Sequence, residues 1–289
     1  MNTTFLPSPD IMQSSLRSCL PDFTFVQWLS QINSTNIFLL QAAKDTQQES
    51  VRPALIGAHY QTSGKGRLGR KWANEAGGTL MFSCAYDVFL PDNKLPMLAP
   101  VAGIVACEEL RKTVGERFAD RLMMKWPNDI QYQEAKLSGL LVETVRPSLS
   151  RQNENHRVVV VGMGMNLAHA KALSITLGRR VADWTSVLQD MYQDNQEVNV
   201  SIAVLVARIA KAWQKAFSLY EQEGFAPFVQ RHTVLDALAG KQIDVWSEDK
   251  FVTQGIARGL NDQAHLLLEM SNGQCLPLMT GDITVRPHE

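Results

Sequence analysis

The sequence has few cysteines, no long hydrophobic run and no excess of either charge. Its four cysteines are far apart and include no C-x-x-C pair, which argues against a zinc site and a disulfide framework. No segment approaches ~18 uninterrupted apolar residues, and the N-terminus lacks a basic stretch followed by an apolar one. We therefore expect a cytoplasmic protein with no membrane partner.

The overall charge gives no reason to expect nucleic acid as a partner. A formal net charge of −1 provides no general attraction to polyanions, so any anion binding must come from a local cluster of cations. The 289 residues, of which 45% are hydrophobic and 20% charged, suffice for one large domain and a small one.

Hydrophobic spacing predicts an irregular lead-in followed by a mixed α/β domain. Residues 1–22 show no sustained period, so we expect no regular structure there. Ser34, Thr35 and Asn36 are cap-type residues that predict the start of a helix. Strands are predicted at 54–60, 79–88, 122–125, 137–145 and 158–163, and helices at 95–112 and from 200 onwards. The apolar stripe of the last helix is typical of a core face.

The pattern changes near residue 238. From 241 onwards the chain shows short alternating segments separated by turn residues, with no helical run. This predicts a small β-barrel-like domain of about 50 residues. We therefore divide the chain into a lead-in (1–22), a main domain (23–237) and a C-terminal domain (238–289).

A glycine-rich loop follows the strand at 54–60. Gly64, Gly66 and Gly69 fit the G-x-G-x-x-G pattern of dinucleotide-binding folds. The context does not fit, because the segment 70–78 is too short for the crossover helix, which with its loops needs ~10–12 residues. A protein-kinase loop is also excluded, since no H-R-D or D-F-G segment follows, and the loop is not a Walker A sequence.

The same loop is rich in cations. Lys65, Arg67, Arg70 and Lys71 lie between the glycines and Trp72. Glycines allow a backbone to approach an anion closely, and the cationic groups provide charge-assisted hydrogen bonds to phosphate oxygens. A solvated surface loop is the alternative, but the interleaving of glycines and cations favours a nucleotide phosphate site.

Two later segments add further polar residues. Asn128, Asp129 and Lys136 are predicted to lie on or beside one connecting turn, and residues 162–166 end a strand with small residues and Asn166. Each segment alone is typical of an ordinary turn or strand exit.

Together these segments resemble the biotin–protein ligases over roughly residues 23–286. The matching motifs are S-T-N at 34–36, G-(R/K)-G-R-x-G-R-x-W at 64–72, K-W-P-N-D at 125–129, K-L-x-G-(I/L)-L-(V/I)-E at 136–143 and G-x-G-x-N at 162–166. The resemblance implies an α+β fold, with a mixed-sheet catalytic domain of the biotin/lipoate ligase type and a small C-terminal SH3-like β-barrel. One departure is Lys65, where many relatives carry arginine, so a point charge replaces a bidentate fork.

The resemblance also implies roles for individual residues. Biotin would be bound by Ser34, Thr35, Asn36, Gln61, Gly64, Lys65, Gly66, Arg67, Lys136 and Gly139. The nucleotide would be bound by Arg67, Arg70, Trp72, Asn128, Lys136 and Asn166. Lys136, Asp129 and Arg67 are the candidate catalytic residues, and no protein-held metal site is expected.

The implied activity is ATP-dependent formation of biotinyl-5'-AMP and transfer of biotin to a lysine of a carrier protein. ATP and Mg²⁺ would take part, and the partner would be the biotin carboxyl carrier protein of acetyl-CoA carboxylase. The segment 1–22 is too short for the DNA-binding domain of longer members, so we expect no nucleic-acid partner and a monomer or weak homodimer. A lipoate–protein ligase and a non-catalytic biotin-sensing regulator are the alternatives, with a dehydrogenase a more distant one.

Overall fold

The computed structural model describes residues 6–45, 52–148, 153–194, 201–247, 250–281 and 283–288. The main domain contains α1 (Pro9–Cys19), β1 (Phe25–Ile32), α2 (Thr35–Lys44), β2 (Ala54–Gln61), β3 (Thr79–Phe89), α3 (Leu98–Val114), α4 (Glu116–Ala119), β4 (Leu122–Lys125), β5 (Asp129–Tyr132), β6 (Ala135–Val145), β7 (His156–Asn166), α5 (Ala170–Leu177), α6 (Trp184–Gln193), α7 (Ile202–Glu223) and α8 (Ala226–Thr233). The C-terminal part contains β8 (Gln242–Ser247), β9 (Lys250–Leu260), β10 (Leu266–Glu269), β11 (Cys275–Leu278) and β12 (Ile283–Pro287).

Seven strands form the main sheet in the order β1-β2-β3-β7-β6-β5-β4. Only β1 and β2 pair in parallel, and the other neighbours are antiparallel. The predicted mixed sheet is confirmed. Helices α1, α3 and α7 pack on the sheet's larger core, while α2 covers a second, smaller hydrophobic cluster.

The larger core confirms the apolar patterns of β3 and α7. The alternate residues of β3 are fully or nearly fully buried, and Phe82 stacks on Trp213 of α7 with ring centroids 5.6 Å apart. The helix predicted at 95–112 begins three residues later, because a short 3-10 turn containing Pro96 precedes it. Proline lacks the N–H that a helix interior requires, which accounts for the shift.

The irregular structure predicted for residues 1–22 is wrong for α1. Met12 and Leu16 are fully buried in the larger core. Gln13 Oε1 accepts a hydrogen bond from Trp28 N at 3.1 Å, and Arg17 Nε donates to Val26 O at 3.3 Å. Helix α1 thereby satisfies backbone groups on the outer edge of β1, an edge that would otherwise be open to pairing with another chain.

The predicted single turn between Asn128 and Lys136 is also wrong. Strand β5 lies between them, so Asp129 begins one strand and Lys136 is the second residue of the next. Strands of four residues give too short a pattern for reliable prediction, because one or two alternations do not establish a period.

The C-terminal strands form a separate antiparallel sheet in the order β11-β10-β9-β8-β12, which confirms the predicted small β-domain. The segment that leads into this sheet is fixed to β4 by backbone hydrogen bonds of Met124 with Leu235 (2.7 Å) and Ala237 (3.0 Å). The small domain itself is bound to the main domain by Trp126 Nε1, which donates to Ala264 O at 3.1 Å. Among the described helices, none combines the length and the hydrophobicity needed to cross a membrane.

Candidate active site

A cavity of about 580 Å³ lies between the glycine-rich loop, the middle of the main sheet and strand β12. Thirteen of the predicted residues line it: Ser34, Thr35, Asn36, Gln61, Lys65, Gly66, Arg67, Arg70, Trp72, Asn128, Asp129, Lys136 and Gly139. Residues far apart in sequence therefore meet in one volume, and Asn36, for example, donates a hydrogen bond to Leu141 O, 105 positions away.

The start of α2 and the end of β2 form an uncharged polar wall. Ser34 caps the helix by accepting from Ile37 N, which leaves the next residues in the first turn facing the sheet. Gln61 Oε1 accepts from Thr35 N at 2.7 Å. All three side chains are buried, at 4%, 3% and 8% exposure. Such a wall suits a neutral ligand that has its own hydrogen-bonding groups.

Behind this wall Asn36 reaches across the sheet to Glu143 of β6. Asn36 Nδ2 donates to Glu143 Oε2 at 2.8 Å, and Ser83 Oγ lies 2.6 Å from Asn36 Oδ1. The Asn36 side chain passes directly over Gly162, where an added Cβ would collide with Asn36 Oδ1. The first glycine of the G-x-G-x-N motif is therefore explained by the close approach of a side chain.

The second glycine of that motif accommodates Trp72. A Cβ at Gly164 would lie 2.5 Å from the indole ring, and one at Gly139 would lie 3.2 Å from it. The indole Nε1 is buried without a hydrogen-bond partner. The Lys136 ammonium lies 5.6 Å from the ring centroid. The tryptophan that ends the glycine-rich loop thus packs on β6 and β7, beside Lys136 of β6.

Lys136 forms an ion pair with Asp129, with Nζ 2.6 Å from Oδ1 and side-chain exposures of 18% and 24%. Lys125 lines the same cavity. Burial lowers the pKa of the Lys125 ammonium, and the nearby Lys136, Arg179 and Arg286 lower it further, whereas Asp129 opposes the shift. Concentrated positive charge of this kind creates an anion site.

The glycine-rich loop is held by backbone bonds and by Arg67. Gly66 N donates to Arg70 O at 2.7 Å, and Trp72 N donates to Gly64 O at 2.9 Å. Arg67 Nη1 donates to Asn128 Oδ1 at 3.3 Å, and its Nη2 donates to Gly281 O of the C-terminal domain at 2.6 Å. One guanidinium therefore connects the loop to both domains.

Two predicted site residues do not line the cavity. Gly64 faces Trp72 and Gln61, and a Cβ added to it would be 3.5 Å from the Trp72 Cβ. Asn166 is buried, and its amide donates to Lys136 O at 3.3 Å and to Ala182 O at 3.1 Å. The Asn166 side chain thus holds the backbone beside Lys136 and does not face the cavity.

The structure adds cationic and polar residues that the sequence analysis did not assign to the site. Lys125, Arg179 and Arg286 contribute positive charge to the cavity, and Ser83 and Glu143 stand behind the polar wall. Lys125 and Glu143 lie within recognised motifs, so their positions in those motifs could have indicated them. Arg179 and Arg286 follow from tertiary packing, which no local pattern encodes.

A mixed-sheet domain with a cation-lined cavity beside a small antiparallel β-domain is the architecture of the biotin protein ligases. The fold matches that of a biotin protein ligase from Aquifex aeolicus in complex with biotin and ATP, with a TM-score of 0.67, 23% identity and coverage of 90% of this chain and 98% of that one. The C-terminal sheet corresponds to an SH3-like barrel.

Sequence comparison gives the family. The model of the biotin/lipoate A/B protein ligase family matches residues 28–166. The chain is 35% identical to the bifunctional ligase/repressor BirA of Escherichia coli K12 over 90% of this chain and 74% of that protein. It is 28% identical to a biotin–acetyl-CoA-carboxylase ligase of Paracoccus denitrificans, over 85% of this chain and 95% of that one. The chain belongs to the biotin/lipoate A/B protein ligase family.

Proposed function

We propose that this chain activates biotin with ATP to biotinyl-5'-AMP and transfers the biotin to a specific lysine of a biotin carboxyl carrier protein. The observation that carries the proposal is the division of one cavity into two walls. Ser34, Thr35 and Gln61 offer uncharged hydrogen-bonding groups, while Lys136 and Lys125 offer positive charge. Biotin has a neutral ureido ring at one end and a carboxylate at the other. The ring can therefore bind to the uncharged wall and the carboxylate to the positively charged wall.

In the first half-reaction the biotin carboxylate attacks the α-phosphorus of ATP and pyrophosphate leaves. Two anions must approach each other, and Lys136 reduces their repulsion and stabilises the charge that develops on the phosphate oxygens. Its ammonium is already oriented by Asp129 at 2.6 Å. The loop cations Lys65, Arg67 and Arg70 attract the phosphates and exclude water.

Magnesium fits this site as an ion that arrives with the nucleotide. Among the described residues, no group of three or more His, Cys, Asp or Glu side chains could hold a metal, and Asp129 is the carboxylate that lines the cavity. Mg²⁺ commonly binds through one or two carboxylates together with substrate phosphates. When bound, it would neutralise charge on the departing pyrophosphate.

In the second half-reaction the ε-amine of the carrier lysine attacks the mixed anhydride and AMP leaves. The enzyme mainly positions the reactants. Asp129 lines the cavity and contacts Lys136 at 2.6 Å, so its carboxylate can orient or deprotonate the incoming amine. The carrier is proposed to be the acetyl-CoA carboxylase subunit, and the enzyme to act in the cytoplasm as a monomer or weak homodimer.

The test is incubation of the protein with biotin, ATP, Mg²⁺ and a biotin carboxyl carrier domain. We expect mass spectrometry to show one biotin on the carrier, with release of AMP and pyrophosphate. A carrier whose acceptor lysine is replaced by arginine is the matched control and should remain unmodified. Transfer of lipoate in preference to biotin, or no transfer by the folded protein, would contradict the proposal.

A further inference from the structure

A hydrogen-bond relay extends from Glu143 to the polar wall of the cavity. Glu143 Oε2 accepts from Asn36 Nδ2 at 2.8 Å. Ser83 Oγ then lies 2.6 Å from Asn36 Oδ1 and 2.6 Å from Thr35 Oγ1. Ser83 is fully buried, and Thr35 lines the cavity. Neither Glu143 nor Ser83 lines it, so these two residues influence a ligand only through the others.

The direction of every bond in this relay follows from Glu143. An ionised carboxylate can only accept, so it selects the amide NH₂ of Asn36 and turns the amide oxygen toward Ser83. That oxygen can also only accept, so Ser83 uses its single proton there. The 2.6 Å contact between Ser83 and Thr35 then uses the Thr35 proton, in preference to the longer 3.2 Å contact between Thr35 Oγ1 and Gln61 Oε1. The lone pairs of Thr35 Oγ1 are left to accept from the cavity.

We propose that Glu143 is a positioning residue that fixes the direction of this relay and thereby makes Thr35 Oγ1 a hydrogen-bond acceptor for an N–H group of the ligand. The inference rests on the proposed function, since it concerns how the same cavity recognises biotin. A cyclic urea has N–H donors that such an acceptor can bind. The dithiolane ring of lipoate has none, so the relay contributes to the choice between these two substrates.

The backbone beneath the relay is shaped to allow it. Ser83 of β3 and Leu141 of β6 both pair with Gly162 of β7. The missing side chain at Gly162 lets Asn36 cross β7 and reach Glu143, and Asn36 Nδ2 also lies 3.3 Å from Leu141 O. Leu141 O favours the same orientation of the Asn36 amide as Glu143 does, but through a longer contact than the 2.8 Å bond to Glu143.

Reversing the relay tests the proposal. In Glu143→Lys the ammonium can only donate, so Asn36 should turn its oxygen toward position 143 and Thr35 should become a donor. We expect the KM for biotin to rise about tenfold or more, as for one buried hydrogen bond lost, while the KM for ATP stays within about twofold. Adding Asn36→Asp supplies a group that accepts from both neighbours, so the double variant should recover most of the affinity for biotin.

Ser83→Ala interrupts the relay without touching the cavity and should also raise the KM for biotin about tenfold. Glu223→Lys, an exposed charge reversal on α7, is the control and should change neither KM. Thermal unfolding verifies that each variant is folded, and Ser83→Ala decides the outcome if Glu143→Lys is not. A merely structural role would lower the melting temperature without separating the two KM values.

An unchanged KM for biotin in folded Ser83→Ala, equal rises in both KM values, or a double variant no better than Glu143→Lys would overturn the proposal. Failure of the proposed function is a different result, because the wild-type protein would then form no biotinyl-AMP.

Discussion

At the scale of single residues, Lys136 is the most important group in the account. It lies on a strand, is paired with Asp129 at 2.6 Å and stands 5.6 Å from the Trp72 ring centroid. It is not part of either hydrophobic cluster. Its removal should therefore affect the reaction much more than the fold.

We predict that Lys136→Ala nearly abolishes adenylation. Losing one preorganised transition-state contact costs ~3–4 kcal/mol, or about 10²–10³ in rate. Biotin-dependent exchange of labelled pyrophosphate into ATP measures this step directly. Lys241→Ala, which removes an exposed lysine from a surface ion pair, is the control. Near-normal exchange by folded Lys136→Ala would refute the assigned role.

Arg67 has a different role, because it closes the loop. Its guanidinium donates to Asn128 and to Gly281 O. We predict that Arg67→Gly still forms biotinyl-AMP but releases it at least about thirtyfold faster, since two hydrogen bonds of ~1 kcal/mol each are lost and backbone freedom is gained.

The release can be followed by the dissociation rate of the intermediate and by biotinylation of unrelated lysines. Lys65→Gly should act in the same direction more mildly. A variant that lost adenylation but retained its intermediate as tightly as the wild type would show that the loop is a catalytic clamp and not a lid.

Residue types at the site were largely predictable, because the glycines, cations and amides occur in ordered motifs. The contacts that these residues make in the fold were harder to predict. Asn166 matched its motif yet holds backbone carbonyls. Glu143 matched its motif too, but its contact with Asn36 joins residues 107 positions apart. Such a contact forms only once the whole sheet has folded, so no local sequence pattern predicts it.

At the level of secondary-structure elements, Gly164 of β7 makes room for Trp72 and so determines where the end of the glycine-rich loop packs. Gly164→Ala would place a Cβ 2.5 Å from the Trp72 indole and must displace it. We predict at least about a tenfold loss in adenylation, in line with the ~1–3 kcal/mol of overpacking. Gly281→Ala, whose added Cβ meets open space, is the control, and circular dichroism should show both folds intact. Unchanged adenylation by Gly164→Ala would mean that the packing of Trp72 on Gly164 is not required for adenylation.

The long elements were predictable and the short ones were not. The patterns of β3 and α7 extend over many alternations, and both elements were found at the expected places. Strand β5 has four residues, which is too few to show a period. Helix α1 was missed because only a few of its residues are apolar, although two of them, Met12 and Leu16, are fully buried. It is stabilised by covering β1, with Gln13 and Arg17 satisfying backbone groups of that strand.

At the scale of the whole molecule, both sheets contribute to one cavity. Residues 283–286 of β12 line it, and the Arg286 guanidinium lies 5.0 Å from the Trp246 ring centroid. Arg286 also lies close enough to Lys125 to lower the pKa of that ammonium. The small domain therefore contributes to the cationic side of the cavity, which we propose to bind the nucleotide.

We predict that Arg286→Gln raises the KM for ATP about tenfold, as for one charge-assisted contact of ~1.5 kcal/mol, and leaves the KM for biotin nearly unchanged. Arg258→Gln, which removes an exposed cation from the same small domain, is the matched control. An equal effect of both substitutions would indicate a general electrostatic influence and not a specific contact.

In the proposed reaction, biotin's carboxylate attacks the α-phosphorus of ATP in this cavity. The most direct measurement uses biotin labelled with ¹⁸O in the carboxylate, together with ATP, Mg²⁺ and the carrier domain. We predict that one labelled oxygen is found in AMP after transfer, because the bridging oxygen of biotinyl-AMP stays with phosphorus when the amine attacks the carbonyl. Label in inorganic phosphate with formation of ADP, or no label in AMP despite biotinylation of the carrier, would contradict it.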